Sequence, residues 1–354
     1  MSLFNPSEKS LGPVNVARPS SKAEGSTETA GARTQTPGIL PKGRIILAGG
    51  SGFLGRVLVS ALLEAGYEIV VLTRAPRKTE DGVFCVAWNG NSLGNWVSCL
   101  EGARAVVNLA GRSVNCRYHA RNRQAILDSR VQSTRVLGEA IGQCVQPPPV
   151  WLNSSTATLY KHSLDQAMDE TSGIIAATPE ARDAFSVEVA LAWESAFDEA
   201  CTPLTRKVAL RTAMVFGPVN GGVFRVLRRL VRLGLGGPMA GGRQFVSWIH
   251  ESDFANAVQW LIERDGISGP VNLAAPNPLP NREMMEIFRS VCGVRFGLPA
   301  TRWQLELGAW LLRTETELII KSRRVTPGRL QAAGFQFAFP NLNEALLDIE
   351  QRLK

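Results

Sequence analysis

The sequence is short of the residues that cross-link a small protein or hold a metal. Six cysteines are spread over 354 residues, at 85, 99, 116, 144, 201 and 292. No two form a Cys-x-x-Cys pair, and the three histidines do not cluster with them. Structural zinc is therefore not expected, and no other metal is implied. Scattered cysteines in a chain this long fit free thiols in a reducing compartment, so a cytoplasmic location is expected. No run approaches the roughly 20 apolar residues of a membrane span, and no membrane partner is expected. The formal charge is +8, yet Lys and Arg are dispersed rather than gathered in a block. That argues against nucleic acid as a partner and leaves a phosphate-bearing ligand as the simpler source of the excess. Tyrosine is scarce as well, with only three, at 67, 118 and 160.

What is present is an ordinary globular composition, 45% hydrophobic and 20% charged, in a chain long enough for a substantial core. Residues 1–42 stand apart. They are rich in Ser, Thr, Pro, Gly and Ala without apolar periodicity, which predicts a disordered tail. Glu8, Glu24 and Glu28 sit poorly with an organelle transit peptide. From Arg44 onward, strand-like runs alternate with helix-like ones. Strands are expected at Arg44–Ala48, Glu68–Thr73, Ala105–Leu109, Val150–Asn153 and Val208–Leu210. Helices are expected at Phe53–Ala65, Ala120–Gln143 and near Pro179–Ala200. Such alternation predicts an α/β fold, a doubly wound parallel sheet covered by helices on both faces. The expected division is a nucleotide-binding domain over 43–225 and a smaller, mainly helical C-terminal substrate lobe over 226–354. A late strand at 270–275 should join the sheet.

The strongest local signal is the turn after the first strand. Gly49, Gly52 and Gly55 follow an apolar strand and open an amphipathic helix. In that setting the first glycine permits a tight turn. The second lets backbone approach a pyrophosphate, and the third lets the helix pack on the sheet. The helix N-terminus, with Phe53 and Leu54 in its first turn, offers free N–H groups to the diphosphate of a nicotinamide dinucleotide. The second strand ends Thr73-Arg74 with no acid to accept a ribose 2′-hydroxyl. Arg74 can instead pair with a 2′-phosphate and Thr73 can add a hydroxyl, so NADP(H) is preferred over NAD(H). The small residues of Leu109-Ala110-Gly111 would let a ribose or ring lie against backbone.

Together these residues resemble a known family. Gly49-Gly-Ser-Gly-Phe-Leu-Gly55, Asn108-Leu-Ala-Gly111, Ser154-Ser155 and Arg211-Thr-Ala-Met-Val-Phe-Gly-Pro218 resemble the extended short-chain dehydrogenase/reductases, the group that includes sugar-nucleotide epimerases. Gly234-Leu-Gly-Gly-Pro238, Gly241 to His250 and Arg324 to Phe335 are similar to an atypical branch labelled epimerase-family or cell-division inhibitor-like, with its own C-terminal region over about 298–350. The resemblance covers roughly 44–350. It implies a Rossmann fold and cofactor contacts at Thr73, Arg74, Leu109, Ala110, Arg130 and Val215, beside Gly111 and Ser154. It also suggests a homodimer.

Such enzymes usually work through a Tyr-x-x-x-Lys pair, in which lysine lowers the tyrosine pKa and tyrosine exchanges a proton with substrate. No tyrosine here is followed by lysine at the fourth position. Counting back from Glu194 on the helix near 185–194 puts Ser186 and Ala190 in those places. The candidates left are Tyr160, as proton donor or aromatic wall, and Ser155, as a hydrogen-bond partner for a substrate carbonyl. His250 reads as structural. Arg225, Arg228, Arg229 and Arg232 share a helix face that is either solvated or an anion-holding wall. Two functions stay open. One is an NADP(H)-dependent oxidoreductase or epimerase-like enzyme for a small carbonyl or polyol, anionic ones included. The other is a regulatory or scaffold protein that binds NADP(H) without turnover.

Overall fold

Four consecutive residues, Ile45, Ile46, Leu47 and Ala48, are fully buried, and they mark the middle of the molecule. The computed structural model describes residues 42–76, 82–219, 222–312 and 316–354. The tail expected over 1–42 lies outside them, save Lys42. The first half runs β1 (Arg44–Ala48), α1 (Phe53–Glu64), β2 (Glu68–Thr73), β3 (Val83–Ala87), β4 (Ala105–Asn108), α2 (Ala120–Gly142), β5 (Val150–Thr156), α3 (Ala184–Asp198) and β6 (Arg206–Thr212). Next come β7 (Met214–Phe216), α4 (Val223–Arg232), β8 (Phe245–Val246), β9 (Trp248–His250), α5 (Glu251–Glu263), β10 (Gly269–Leu273), β11 (Leu279–Pro280) and α6 (Asn281–Val291). The chain closes with α7 (Arg302–Leu312), α8 (Glu317–Ile320), α9 (Gly328–Ala332) and α10 (Leu342–Gln351).

The main sheet has the order β10-β6-β5-β4-β1-β2-β3, and every neighbouring pair is parallel. Alternation along β1 sends its side chains to two separate cores. Ile45 and Leu47 pack with Leu58 and Leu62 of α1 and Phe254 and Leu261 of α5. Ile46 and Ala48 pack with Val136 and Leu137 of α2 and with Trp151. A strand buried on both faces needs a near-continuous apolar run, and each such side chain contributes about 1.5–3 kcal/mol on burial. This is the doubly wound Rossmann arrangement. Ala48 stands opposite both Leu72 of β2 and Asn108 of β4. The strand order reverses at β1, and the loops leaving β1, β2 and β4 open on one crevice, where such sheets bind ligands.

The late strand joins the sheet edge beside β6, as Gly269–Leu273. One strand of the main sheet was not foreseen, β3. It is an edge strand with no fully buried residue, so it lacks the apolar run that marks its neighbours. The chain beyond 226 is not confined to a separate lobe. Helix α5, and Leu330 and Phe335 in and after α9, pack into the core beneath the sheet, and the described residues from Lys42 to Lys354 cluster as one compact unit. A distinct core does exist there, in which Phe224, Trp248, Phe288 and Leu346 meet.

The arginines of α4 do not wall the crevice. Arg228 binds both Glu350 oxygens of α10, at 2.5 and 2.9 Å, and Arg232 adds a third bond at 2.9 Å. Arg225 donates to the Pro218 carbonyl. Arg228 and Arg232 thus fasten the C-terminal helix to α4.

Candidate functional site

The three glycines between β1 and α1 serve different ends. Gly49 has φ +76°, and a Cβ there would lie 2.8 Å from the Ala110 Cα. A Cβ on Gly55 would fall 2.2 Å from the Gly50 carbonyl oxygen. Both positions therefore exclude side chains for the sake of the fold. At Gly52 a Cβ would meet nothing closer than the Gly49 oxygen at 3.9 Å. Space is being kept there for something outside the chain. Gly52 is also the N-cap of α1, and no side chain caps its free N–H groups. Open space beside an uncapped helix N-terminus suits an anion.

Two cavities meet at this turn. One, of about 540 Å³, is lined by Gly49, Gly52, Phe53, Leu54 and Gly55, and on its far side by Ser154, Ser155 and Thr156 at the end of β5. The other, of about 480 Å³, shares Gly49, Gly52, Leu109, Ala110 and Gly111 and extends to Thr73 and Arg74. Thr73 is buried and Arg74 exposed. No Asp or Glu lines this second cavity among the described residues. The shape fits a dinucleotide laid across the turn. Gly52 and the α1 N-terminus would hold the diphosphate, Thr73 and Arg74 one ribose end, and Ser154 the other.

The 109–111 turn rests on a buried polar network that the sequence did not announce. Asn108 Oδ1 accepts from the Ala110 N–H at 3.0 Å, and its Nδ2 donates to Asn153 Oδ1 at 2.7 Å and to Thr134 Oγ1 at 3.2 Å. Trp193 Nε1 also donates to Thr134, at 3.0 Å. With each partner supplied from another element, the turn is held rigidly. Arg130 lies against it, its Cζ 3.2 Å from where a Gly111 Cβ would stand. Its Nη1 donates to the Arg112 and Ile126 carbonyls, and the guanidinium sits 5.1 Å from the Trp193 ring centroid. No carboxylate pairs with it among the described residues. Burial pushes its pKa down to about 10, as for a cation whose anion is not part of the chain.

Three assignments need correction. Tyr160 lines neither cavity and is 1% exposed. Its hydroxyl donates to Asn272 Oδ1 and accepts from Arg211 Nη1, both at 3.0 Å. Burial raises its pKa, with Arg211 pulling the other way. It is a structural tyrosine, neither proton donor nor pocket wall. Ser155 does line the cavity, but its hydroxyl donates to Glu194 at 2.5 Å, so its proton is not offered to a substrate carbonyl. Glu194 is clamped in turn by Arg211 at 2.9 and 2.7 Å. Val215 lines neither cavity and belongs to the core beside Ile249.

Ser186 and Ala190 do line the first cavity. Ser186 donates to Glu317 of α8 at 2.9 Å. Lys321, just after α8, pairs with Asp183, and both are fully buried. The C-terminal segment thus backs the wall in which a Tyr/Lys pair would stand. The hydroxyl overlooked in the sequence is Thr156. It lines the cavity, its Oγ1 accepts from the Thr158 N–H at 3.1 Å, and its proton has no acceptor among the described residues. Its signal was its place one step beyond the serine pair. His250 is fully buried. It caps α5 through Ser252 N–H and meets Asp348 at 3.1 Å, a structural role.

Comparison with known proteins agrees with this geometry. Residues 45–274 match the model of the NAD dependent epimerase/dehydratase family, and 300–349 match a domain of unknown function, DUF1731. The human epimerase family protein SDR39U1 is 30% identical over 313 residues, covering 86% of this chain and 99% of the relative. Epimerase family protein YfhF of Bacillus subtilis is 30% identical over 305 residues, covering 85% and 96%. The crystal structure of human SDR39U1 (isoform 2) with NADPH is similar at TM-score 0.75 and 29% identity, covering 87% of this chain and 99% of that one. A UDP-N-acetylglucosamine 4-epimerase from Bacillus cereus, 18% identical at TM-score 0.68 and covering 88% and 96%, shares the fold. The crevice at the end of β1 and the segment that backs it are thus those of a family, and this chain belongs to the NAD dependent epimerase/dehydratase family of extended short-chain dehydrogenase/reductases, in a form that carries the DUF1731 domain.

Proposed function

We propose that this chain is an NADP(H)-dependent oxidoreductase acting on a small carbonyl or polyol compound. The observation that carries the reading is the second cavity. It joins the glycine turn to Thr73 and Arg74 with no carboxylate along its described lining. A ribose 2′-hydroxyl would find no acceptor acid there, whereas a 2′-phosphate would find a guanidinium and a hydroxyl. The human relative crystallised with NADPH supports the same preference. Arg130, with no carboxylate partner among the described residues and half-buried near Gly111, would favour the negatively charged cofactor further. The bound dinucleotide supplies or accepts a hydride.

The chain's own part is to bind, orient and move a proton. Gly52 and the α1 N-terminus hold the diphosphate. The Asn108 network fixes the turn against which the ribose lies. Thr156, beside Ser154 and Thr158, then offers a hydroxyl whose proton has no acceptor among the described residues and can meet a substrate oxygen in the 540 Å³ cavity. A lone threonine is a hydrogen-bond donor rather than a strong acid, so turnover is expected to be slow beside enzymes with a Tyr/Lys pair. A second reading, a non-catalytic NADP(H)-binding regulator, draws on one observation: Ser186 and Ala190 stand in the wall and cannot do that pair's work. Consumption of NADPH on addition of carbonyl compounds separates the two. The enzyme reading predicts substrate-dependent oxidation that Thr156→Val lowers without weakening NADPH binding. Binding of NADPH with no oxidation across a broad panel would favour the regulator.

A further inference from the structure

Beyond the part of the first cavity that the dinucleotide would fill, the wall changes character. Val114, Tyr118, Ile126, Phe185 and Val189 form one apolar cluster and all line the cavity. Tyr118 and Phe185 meet edge to face at 5.0 Å, and Arg123 braces Phe185 with its guanidinium 4.7 Å from the ring centroid. Among the described residues, the lining holds no Asp, Glu, Lys or His, and its only cations are Arg112 and Arg130. Arg130 lines the first cavity alone, packed against Gly111 with its guanidinium 5.1 Å from the Trp193 ring centroid. Arg112 lines the second cavity too, and Arg130 holds the Arg112 carbonyl. The nearby carboxylates are committed elsewhere, Glu194 to Arg211 and Ser155, Glu317 to Ser186. The polar groups left facing this space are neutral hydroxyls.

A nucleoside-diphosphate sugar brings two phosphates and a ring of hydroxyls. Each would be stripped of water against carbon, and the one lining cation not shared with the second cavity, Arg130, is the one assigned above to the charge of the dinucleotide. A flat apolar ring loses little by leaving water and gains from aromatic edges. Resting on the dinucleotide reading above, we propose that this half of the cavity binds an uncharged carbonyl compound carried on an apolar ring, and not a nucleoside-diphosphate sugar. The carbonyl oxygen faces the Thr156 and Thr158 end, and the ring lies against Phe185 and Val189.

The test uses the full chain in two stages. NADP+ is first titrated alone by calorimetry. α-Tetralone, menadione and UDP-glucose are then titrated separately into the NADP+-saturated protein. The expected result is saturable binding of α-tetralone or menadione and none of UDP-glucose at the same concentrations. Val114→Asp, which sets a charge in the half-buried wall, should weaken the ring ketones about tenfold or more. If that variant does not fold, Val189→Ser is measured in its place with the same expectation. Saturable binding of UDP-glucose, no binding of either ring ketone, or full ketone affinity in the folded variant overturns the proposal. If NADP+ itself does not bind, the dinucleotide reading fails and this inference falls with it. If NADP+ binds and the ketones do not, only the substrate class is wrong.

Discussion

Gly52→Val should separate folding from binding in a way its neighbours cannot. The backbone at 52 has φ −75°, a value any residue adopts, and a Cβ there has 3.9 Å of clearance to the Gly49 oxygen. The cost to the fold is limited to exchanging a favoured N-cap for a poor one, about 1 kcal/mol. For a domain of this size that shifts Tm by roughly 2–4 °C. Binding should suffer far more. The isopropyl group would occupy the cradle and deny the diphosphate its backbone N–H groups. Losing two charge-assisted bonds at about 1.5–3 kcal/mol each weakens NADPH by more than about a hundredfold. Gly55→Val is the contrast. Its Cβ would lie 2.2 Å from the Gly50 oxygen, so the fold itself should lose several kcal/mol, roughly 3 or more. Thermal melting with and without NADPH reads both effects. At a concentration of about 100 Kd, NADPH adds about 2.7 kcal/mol to the wild type, and almost none of that should remain in Gly52→Val. A Gly52→Val protein that melts like the wild type and keeps its NADPH affinity within about threefold would refute the cradle.

Two further outcomes follow from the buried polar groups. Tyr160→Phe removes the hydroxyl shared by Arg211 and Asn272 and should cost about 1–2 kcal/mol in urea unfolding. NADPH affinity and any turnover should be unaffected; a selective loss of turnover would restore Tyr160 as a catalytic residue. Burial lowers the His250 pKa to about 4, the Asp348 carboxylate pulling it up and Arg352 down. The folded value lies below the unfolded value near 6.5, so the contribution is present above pH 6.5 and is lost as pH falls toward 4. Between pH 8 and pH 5 the loss amounts to about 2 kcal/mol. It should be seen in denaturant titrations of the wild type and be absent in His250→Gln; equal pH dependence in both would contradict the assignment.

What could be read from the sequence was what lies close in the chain. The strand, turn and helix over 44–64 were legible because β1 is apolar on both faces and the glycine spacing carries its own steric reasons. Arg74 was legible as the residue that follows β2. β3 was not, since an edge strand with half-exposed residues has no distinguishing pattern. Tyr160 was misjudged for its nearness to Ser155. The groups that claim its hydroxyl, Arg211 and Asn272, lie 51 and 112 residues away. The same distance hid the clamp of Arg228 on Glu350, 122 residues on, and so left the α4 arginines open to a functional reading. Asn108, Thr134 and Asn153 are ordinary polar residues in the chain; the parallel pairing of β4 with β5 sets Asn108 beside Asn153, and α2 brings Thr134 to both. Thr156 is one more hydroxyl after a serine pair in the chain, and only the bond from Ser155 to Glu194 shows which hydroxyl is spent.

The central claim is that Arg74 selects the 2′-phosphate. The direct test is calorimetric titration of the wild type and Arg74→Ala with NADPH and NADH at fixed ionic strength. The account predicts that NADPH binds more tightly than NADH to the wild type. Arg74→Ala should weaken NADPH by roughly 10–100-fold, the worth of a charge-assisted phosphate contact at about 1.5–3 kcal/mol, and leave NADH nearly unchanged. Equal affinities for the two cofactors in the wild type, or equal losses in the variant, would contradict it.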